Sequence, residues 1–190
     1  MPYSAFHKAR TRERILDAAR RAFARVGYEA VTIDEVMRRA GLTRGGFYNH
    51  FRHKADLFAA AVESYGTATP WQDAKTSGSS ANGLARWFID FYLSDDMLAN
   101  VEIGCPLYGF PNDIARAGSA PRHAYTRLIE RTAAIFEAAL GSEPDAAERA
   151  EAILSLCVGA MLLASTTESE TLRVSIRRSA RRTALELLDS

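Results

Sequence analysis

Hydrophobic residues recur along most of this chain with the spacing of α-helices, and the alternation typical of strands is almost absent. Between Thr11 and Val26, apolar side chains return every three or four residues, which predicts an amphipathic helix that ends at Gly27. The same spacing predicts further helices at about 54–67, 84–93, 121–140, 145–166 and 171–188. We therefore expect an all-α fold.

Two stretches interrupt this helical pattern. Residues 69–83 are rich in Ser, Gly, Thr and Asp, and we expect them to form a loop. Residues 100–120 hold several glycines and prolines, which predicts an irregular segment.

Residues 31–58 have the pattern of two short helices joined by a tight turn. Thr32 and Glu35 show the T-x-x-E spacing of a capping box, which predicts the start of the first helix. Gly41 is suited to the left-handed conformation that ends a helix, and Thr43 is a second candidate N-cap. This pattern is typical of a helix-turn-helix, and the second helix of such a motif enters the major groove of DNA.

The second helix, at about 44–49, is poor by propensity, because each of its two glycines costs about 1 kcal/mol relative to alanine. We expect Phe47 and Phe51 to hold it against the neighbouring helices. The missing side chains of Gly45 and Gly46 would let the backbone approach a phosphate or a base edge. A local conflict of this kind is typical of functional sites.

Charge supports a nucleic-acid partner for the first part of the chain. The formal net charge of +1 conceals a division, since residues 1–60 hold 12 basic and 6 acidic side chains whereas residues 61–190 hold 12 and 17. A basic head on an acidic body is typical of a DNA-binding protein with a second role. The later arginines are interpreted as a solvated surface.

The remaining composition excludes several classes of protein. The 190 residues are 47% hydrophobic and 25% charged, as in ordinary globular chains, and no apolar run reaches the roughly 18 residues of a membrane span. The first residues lack the apolar core of a signal peptide, and two cysteines indicate no disulfide framework, so we expect a cytoplasmic protein. We find no motif of a hydrolase, a phosphate-binding loop or a metal site, and expect no enzyme activity, cofactor or metal.

Residues 11–58 resemble the N-terminal domain of TetR-type transcriptional regulators. The resemblance is carried by Ala40-Gly41-Leu42-Thr43, Gly46-Phe47-Tyr48, His50-Phe51 and Lys54, together with the helix that precedes them, and it covers a quarter of the chain. It implies an N-terminal three-helix helix-turn-helix domain at 1–53. It also implies a larger C-terminal helical bundle at 54–190 that binds an effector and dimerises.

Several residues are predicted to contact double-stranded DNA. Arg44 is suited to guanine and Asn49 to adenine, and either is also suited to phosphate. By resemblance, Tyr48, His50 and Lys54 bind the phosphate backbone, and the helix N-termini at the two threonines suit phosphate as well. The predicted set is Arg10, Arg12, Thr32, Thr43, Arg44, Gly45, Gly46, Tyr48, Asn49, His50 and Lys54.

The last two predicted helices carry the prediction of a homodimer. The helix at 145–166 is apolar nearly all round, so it must be buried on two sides. From the residues alone, an intramolecular core and a dimer interface are equally open. The resemblance implies that these helices form a four-helix interface with a two-fold mate, which a palindromic operator requires. The predicted interface residues are Ala150, Leu154, Cys157, Met161, Ile176, Ala180, Ala184 and Leu187.

The body of the chain is rich in aromatic residues. For any single residue, plain core packing is the commoner interpretation. The resemblance implies a pocket for a small hydrophobic or aromatic effector, whose binding moves the DNA heads apart and releases the operator, as in a repressor. The predicted lining is Trp87, Phe88, Phe91, Tyr92, Cys105, Leu107, Tyr108, Phe110, Tyr125 and Met161. An activator, an effector-independent DNA-binding protein and a cofactorless helical-bundle enzyme are the alternatives.

Cys105 lies in a Gly-Cys-Pro segment that resembles one branch of the same family. A thiol at a helix start has a lowered pKa, which suits a sensor of oxidants or electrophiles. A small buried hydrophobe beneath a proline turn is the favoured interpretation. Cys157, in the middle of an apolar helix, is interpreted as structural.

Overall fold

The computed structural model describes residues 5–65, 80–99 and 105–190, and every regular element within these ranges is a helix. The all-α prediction is confirmed for this part of the chain. Most of the predicted 69–83 loop and Gly104 lie outside it. In chain order the elements are α1 (Ala5–Ala30), α2 (Ile33–Arg39), a 3-10 helix (Arg44–Asn49), α3 (Lys54–Tyr65), α4 (Ala81–Tyr92), α5 (Asp95–Ala99), α6 (Pro106–Gly109), α7 (Pro111–Arg116), α8 (Ser119–Leu140), α9 (Ala146–Thr166) and α10 (Glu170–Asp189).

The head of the molecule, which we define as α1, α2 and the 3-10 helix, begins with a long helix that is broken near its end. Gly27 has φ +77° and ψ 171°, so the regular helix stops where the sequence predicts. Beyond the break, the backbone N–H of Tyr28 donates to Oδ2 of Asp113 at 2.9 Å. Asp113 lies in α7, so this bond joins the head to the rest of the chain.

The caps of α2 follow the sequence in part. Oγ1 of Thr32 accepts a hydrogen bond from the backbone N–H of Glu35 at 3.2 Å, and Gly41 has φ +67° just after the helix. The carboxylate of Glu35 pairs with Arg39 at 2.8 Å, one turn further along. The capping box is therefore half formed, because an arginine on the same helix face attracts its glutamate.

The rest of the chain, which we call the body, is arranged around α8. This helix packs against α3, α4 and α9, and α9 packs in turn against α10. The short helices α5, α6 and α7 were missed by sequence reasoning, because four to six residues are too few to show a helical period.

The helix α9 is apolar enough to pass a test of length and composition for a membrane span, with a mean hydropathy of 1.4 over its best window. Its buried side chains include Ile153, Cys157 and Met161, which belong to the hydrophobic core of the chain. This burial within the body explains the composition of the helix.

Candidate nucleic-acid interface

The 3-10 helix turns one face into the head and the other to the outside. Phe47 and Phe51 are buried with ring centroids 5.7 Å apart. Arg44 and Asn49 are exposed, and the Tyr48 side chain is 59% exposed. The predicted inward and outward assignment of these side chains is therefore confirmed.

The segment differs from the prediction in its backbone. Residues 44–49 form a 3-10 helix, and Thr43 precedes it in an extended conformation without a side-chain capping bond. Thr43 therefore occupies the N-cap position predicted from sequence, and its carbonyl accepts from the Gly46 N–H at 3.0 Å, but its hydroxyl does not cap the helix. The Thr43 hydroxyl thus remains on the exposed face.

The two glycines of the segment have different surroundings. A Cβ atom added at Gly45 would meet nothing within 4 Å, so this residue opens the backbone to the outside. A Cβ atom at Gly46 would lie 3.5 Å from Cε of Met37 in α2. The prediction that both glycines admit a close approach of nucleic acid therefore fits Gly45, whereas the Cβ position of Gly46 faces Met37 of α2 at an ordinary contact distance.

Lys54, the first residue of α3, binds backbone carbonyls at and just after the end of α1. Its Nζ donates to the carbonyl oxygens of Tyr28 at 2.8 Å, Val31 at 3.1 Å and Glu29 at 3.3 Å, and it lies 4.3 Å from the centroid of the Tyr28 ring. All three N–H donors of the ammonium thus face backbone acceptors. A phosphate contact by Lys54 would require it to leave them, so the structure gives this residue a holding role that sequence reasoning missed.

His50 and Arg12 meet at the end of the 3-10 helix. Burial lowers the pKa of His50, and the nearby charges of Lys8 and Arg12 lower it further. The ring nitrogen Nδ1 of His50 is buried and has no hydrogen-bond partner in the described residues. The guanidinium of Arg12 lies 5.0 Å from the centroid of the Phe51 ring, so it is held at the head, while Arg10, two residues earlier in α1, is exposed.

An acidic side chain also lies on this exposed face. Oδ2 of Asp34, in the first turn of α2, lies 2.7 Å from Nη1 of Arg44. The ion pair links the two helices of the motif. Sequence reasoning did not single out Asp34, because the pair depends on how α2 and the 3-10 helix are arranged.

In the body, phenol groups gather around the Cys105 thiol. Burial raises the pKa of Cys105 to about 11, although hydrogen bonds from the Leu107 backbone and from the hydroxyls of Tyr92 and Tyr65 act in the opposite direction. Burial also raises the pKa of Tyr108 to about 12. A thiol with a raised pKa that is 1% exposed matches the buried-hydrophobe interpretation of Cys105 rather than the sensor interpretation.

The predicted effector residues are brought together in part. Trp87 and Phe91 form a half-buried parallel stack with centroids 5.0 Å apart, and Phe88 stacks on the buried Tyr92. The Tyr125 hydroxyl donates to the Leu107 carbonyl at 2.9 Å. Met161 and Leu107 are fully buried.

Phe110 is placed differently from the other predicted effector residues. Its ring packs on Phe58 of α3 at 5.6 Å, and Phe58 in turn contacts Phe23 and Tyr28 of α1. Phe110 therefore belongs to the junction between head and body. Tyr65, at the end of α3, joins the cluster at Cys105 and was missed by sequence reasoning.

The structure corrects the predicted set of dimer-interface residues. Six of these residues are buried within the chain itself, although Ala180 among them also lines an open groove between α9 and α10: Ala150, Leu154, Cys157, Met161, Ala180 and Ala184. The remaining two, Ile176 and Leu187, are half-buried. A helix that is apolar all round has two seams, and spacing alone does not say which one faces its own chain.

The opposite side of the same two helices is open. An apolar groove runs between α9 and α10, and Leu156, Gly159, Leu163 and Ile176 are among its lining residues. The Leu163 side chain is 56% exposed, and Leu172 near the start of α10 is also exposed. This groove is the exposed apolar surface of the pair α9 and α10.

Comparison with known proteins gives a likeness of sequence in the head and of fold over the chain. Residues 15–61 match the sequence profile of a family described as bacterial regulatory proteins, tetR family. The chain is 44% identical over 54 residues to the HTH-type transcriptional repressor Rv1474c of Mycobacterium tuberculosis. The aligned residues make up 28% of this chain and 29% of the repressor. The alignment thus spans less than a third of that relative.

Two solved structures extend the likeness of fold. The regulatory protein TetR from Rhodobacter sphaeroides superimposes with a TM-score of 0.66 at 25% identity, over 92% of this chain and 97% of that one. The transcriptional regulator FadR from Bacillus subtilis, in complex with stearoyl-CoA, gives a TM-score of 0.70 at 14% identity, over 90% and 96%. Both are similar to this chain in the helical body as well as in the head.

Proposed function

We propose that this chain, a TetR-family regulator by its N-terminal domain, binds a palindromic operator as a homodimer and releases it when a small molecule enters its helical body. The domains proposed are 1–53 for DNA and 54–190 for effector binding and dimerisation. The protein acts as a cytoplasmic repressor in this scheme.

The observation that carries the proposal is the outward face of the 3-10 helix. Arg44, Tyr48 and Asn49 point out from a segment whose two phenylalanines are buried, and Gly45 leaves the backbone between them open. This face belongs to the basic part of the chain, which suits the phosphate backbone. Side chains of these types read base edges or bind phosphate when they enter the major groove.

The contacts are assigned by chemistry. Arg44 reads guanine and Asn49 reads adenine, because both side chains form bidentate pairs with those bases. Tyr48, His50 and the hydroxyls at Thr32 and Thr43 bind phosphate oxygens. Arg10 and Arg12, on the first turns of α1, reach into an adjacent groove of the DNA.

The dimer forms through the groove between α9 and α10. Leu163 and Leu172 are large apolar side chains that lie exposed in a single chain, and a partner that covers them stabilises the pair by the hydrophobic effect. A two-fold dimer presents two heads, as two half-sites about one helical turn apart require.

The effector is a hydrophobic or aromatic small molecule. Support comes from the aromatic residues of α4 and from the phenols around Cys105, which combine a large apolar surface with a few polar groups. The FadR structure, with the same fold, holds stearoyl-CoA. Entry of such a ligand between α4, α6, α8 and α9 would reposition the heads.

The experiment is a selection of bound DNA from random duplexes by the wild type, Arg44→Ala and Tyr48→Ala. Arg178→Ala is the matched control, because it removes an exposed arginine from α10. We expect a palindromic motif for the wild type and the control, and its loss in the two head variants. Binding that follows salt concentration without an enriched motif would refute sequence-specific recognition.

A further inference from the structure

The exposed face of the head carries a carboxylate in the middle of the surface that would meet DNA. The side chains of Asp34 and Arg44 are 58% and 62% exposed, and Oδ2 of Asp34 lies 2.7 Å from Nη1 of Arg44. A negative charge at this place repels phosphate and weakens binding to every sequence. Its presence therefore calls for a role that offsets this cost.

Two general roles of such a residue explain it incompletely. An acidic side chain in the first turn of a helix interacts favourably with the helix dipole, and Glu35 beside it does so as well. An exposed ion pair stabilises a fold little. Neither role explains why the Asp34 side chain contacts the first residue of the 3-10 helix and not a residue of α2.

We propose that Asp34 is a positioning residue for base recognition by Arg44, and this inference rests on the proposed function. The carboxylate holds Nη1 and so restrains a long side chain whose free rotation would be lost on binding. The guanidinium has five N–H donors in a planar fork, and a bidentate pair with guanine uses two of them. Nη2 and Nε remain for the base edge when Nη1 is held by Asp34.

The surroundings of the pair favour this arrangement. Gly45 follows Arg44 directly, and a Cβ atom placed there would meet no atom within 4 Å outside its chain neighbours and its own helix backbone. Position 45 therefore adds no side chain next to the ion pair. Arg39, by contrast, pairs with Glu35 along α2 itself and does not reach the 3-10 helix. The chain thus offers a matched ion pair on the same helix as a control.

The test compares the full-length wild type with Asp34→Ala, Asp34→Glu, Arg44→Ala, the double variant Asp34→Ala/Arg44→Ala and the control Arg39→Ala. Each protein is used in selection from random duplexes. Each is then titrated at one salt concentration with the selected duplex, its single-base variants and a random-sequence duplex. Thermal unfolding of every variant is recorded separately.

We expect Asp34→Ala to lose roughly tenfold or more in preference at one base pair of each half-site, the same pair that Arg44→Ala affects. Its affinity for random-sequence DNA should rise, because a negative charge has been removed. Asp34→Glu keeps the carboxylate and should retain most of the preference. The double variant should lose no more preference than Arg44→Ala, and Arg39→Ala should keep the wild-type preference.

The inference is overturned if Asp34→Ala keeps every base preference of the wild type, or lowers affinity for all duplexes alike together with a lower unfolding temperature. A further loss of preference in the double variant would mean that Asp34 reads a base by itself, which also overturns the positioning role. If the wild type enriches no motif, the proposed function fails. If Arg44→Ala loses the motif while Asp34→Ala keeps it, the positioning role alone fails.

Discussion

Cys105 is the residue whose surroundings decide most clearly between two interpretations. It is 1% exposed, and burial raises its pKa to about 11, against 9.0 for a free thiol. The thiolate is the reactive form. At pH 8 the thiolate fraction of Cys105 is therefore about a hundredth of that of a free cysteine.

We predict that iodoacetamide modifies Cys105 in the native protein at pH 8 at least a hundred times more slowly than in protein unfolded by urea. Mass spectrometry of digested samples measures the rate at each cysteine. Cys157 serves as the internal control, because it is also buried and burial raises its pKa to about 12. Rapid native labelling of Cys105 with Cys157 protected would restore the sensor interpretation.

The same shift sets a dependence of stability on pH. A folded-state pKa of Cys105 above its unfolded value means that the native state holds the proton when the unfolded state has lost it. The contribution of the protonated Cys105 thiol to the free energy of unfolding is complete below about pH 9 and is lost as the pH rises through about 11. From the sequence, a lowered pKa at a helix start and a small buried hydrophobe were both open for Cys105, and the structure matches the second, which was the favoured interpretation.

Other single residues show where sequence reasoning succeeds and fails. The buried and exposed sides of the 3-10 helix follow from the apolar ring of Phe47 and the charge of Arg44, and were predicted. The bonds of Lys54 to three carbonyls depend on how the chain returns after the α1 break, which local patterns do not encode. The pair of Asp34 and Arg44 likewise depends on the angle between two helices.

At the scale of elements, the break in α1 is fixed from outside the helix. A Cβ atom at Gly27 would lie 2.9 Å from Oδ2 of Asp113, and φ at Gly27 is +77°. The glycine is therefore needed for two separate reasons, its backbone conformation and the closeness of the carboxylate. The sequence predicts the first reason and not the second.

We predict that Gly27→Ala lowers the free energy of unfolding by more than Gly118→Ala. Gly118 has φ +98° and ψ −171°, close to the conformation of Gly27, and open space around a Cβ atom, so its variant measures the cost of the conformation alone, about 1–3 kcal/mol. Gly27→Ala should cost about 1–3 kcal/mol more, because it also displaces the acceptor of the Tyr28 N–H. Urea denaturation followed by circular dichroism measures both.

A double-mutant cycle separates the two causes. In the Asp113→Ala background the carboxylate is absent, so Gly27→Ala should cost no more than Gly118→Ala. An undiminished cost in that background would show that the carboxylate is not the atom group that excludes a side chain at this position.

The long helices were predicted well and their faces less well. The helices α8, α9 and α10 end within a few residues of the predicted bounds, because their apolar period is sustained over about twenty residues. The assignment of the inner seam of α9 to a partner was wrong, because Ala150 and Met161 are buried in the chain itself. Periodicity shows which sides of a helix are apolar, but it does not show which element or partner packs against each side.

At the scale of the whole molecule, the exposed groove between α9 and α10 sets the expected assembly. We predict that Leu163→Asp converts the proposed dimer to a monomer at micromolar concentration, because it places a charge in an apolar interface. Sedimentation velocity measures the mass. Ile129→Asp is the matched control, since Ile129 is an exposed apolar residue of α8 and its variant should keep the wild-type mass.

A Leu163→Asp variant that keeps the mass of the wild-type dimer would place the interface elsewhere on the body. A monomeric variant should also bind the selected palindrome more weakly than the wild type, with the affinity for a single half-site unchanged. Fluorescence anisotropy with labelled duplexes of each kind separates these two affinities.

The bond from the Tyr28 N–H to Asp113 has a consequence for recombination between proteins of this fold. The head offers a backbone group and a glycine at this contact, and neither depends on the identity of the side chain at position 28. A foreign head could be grafted at this point if it supplies a glycine followed by a residue other than proline, and an aromatic ring to meet Phe58 of α3 as Tyr28 does. Chimaeras that combine the DNA preference of one protein with the ligand response of another would then need few compensating substitutions at the junction between head and body.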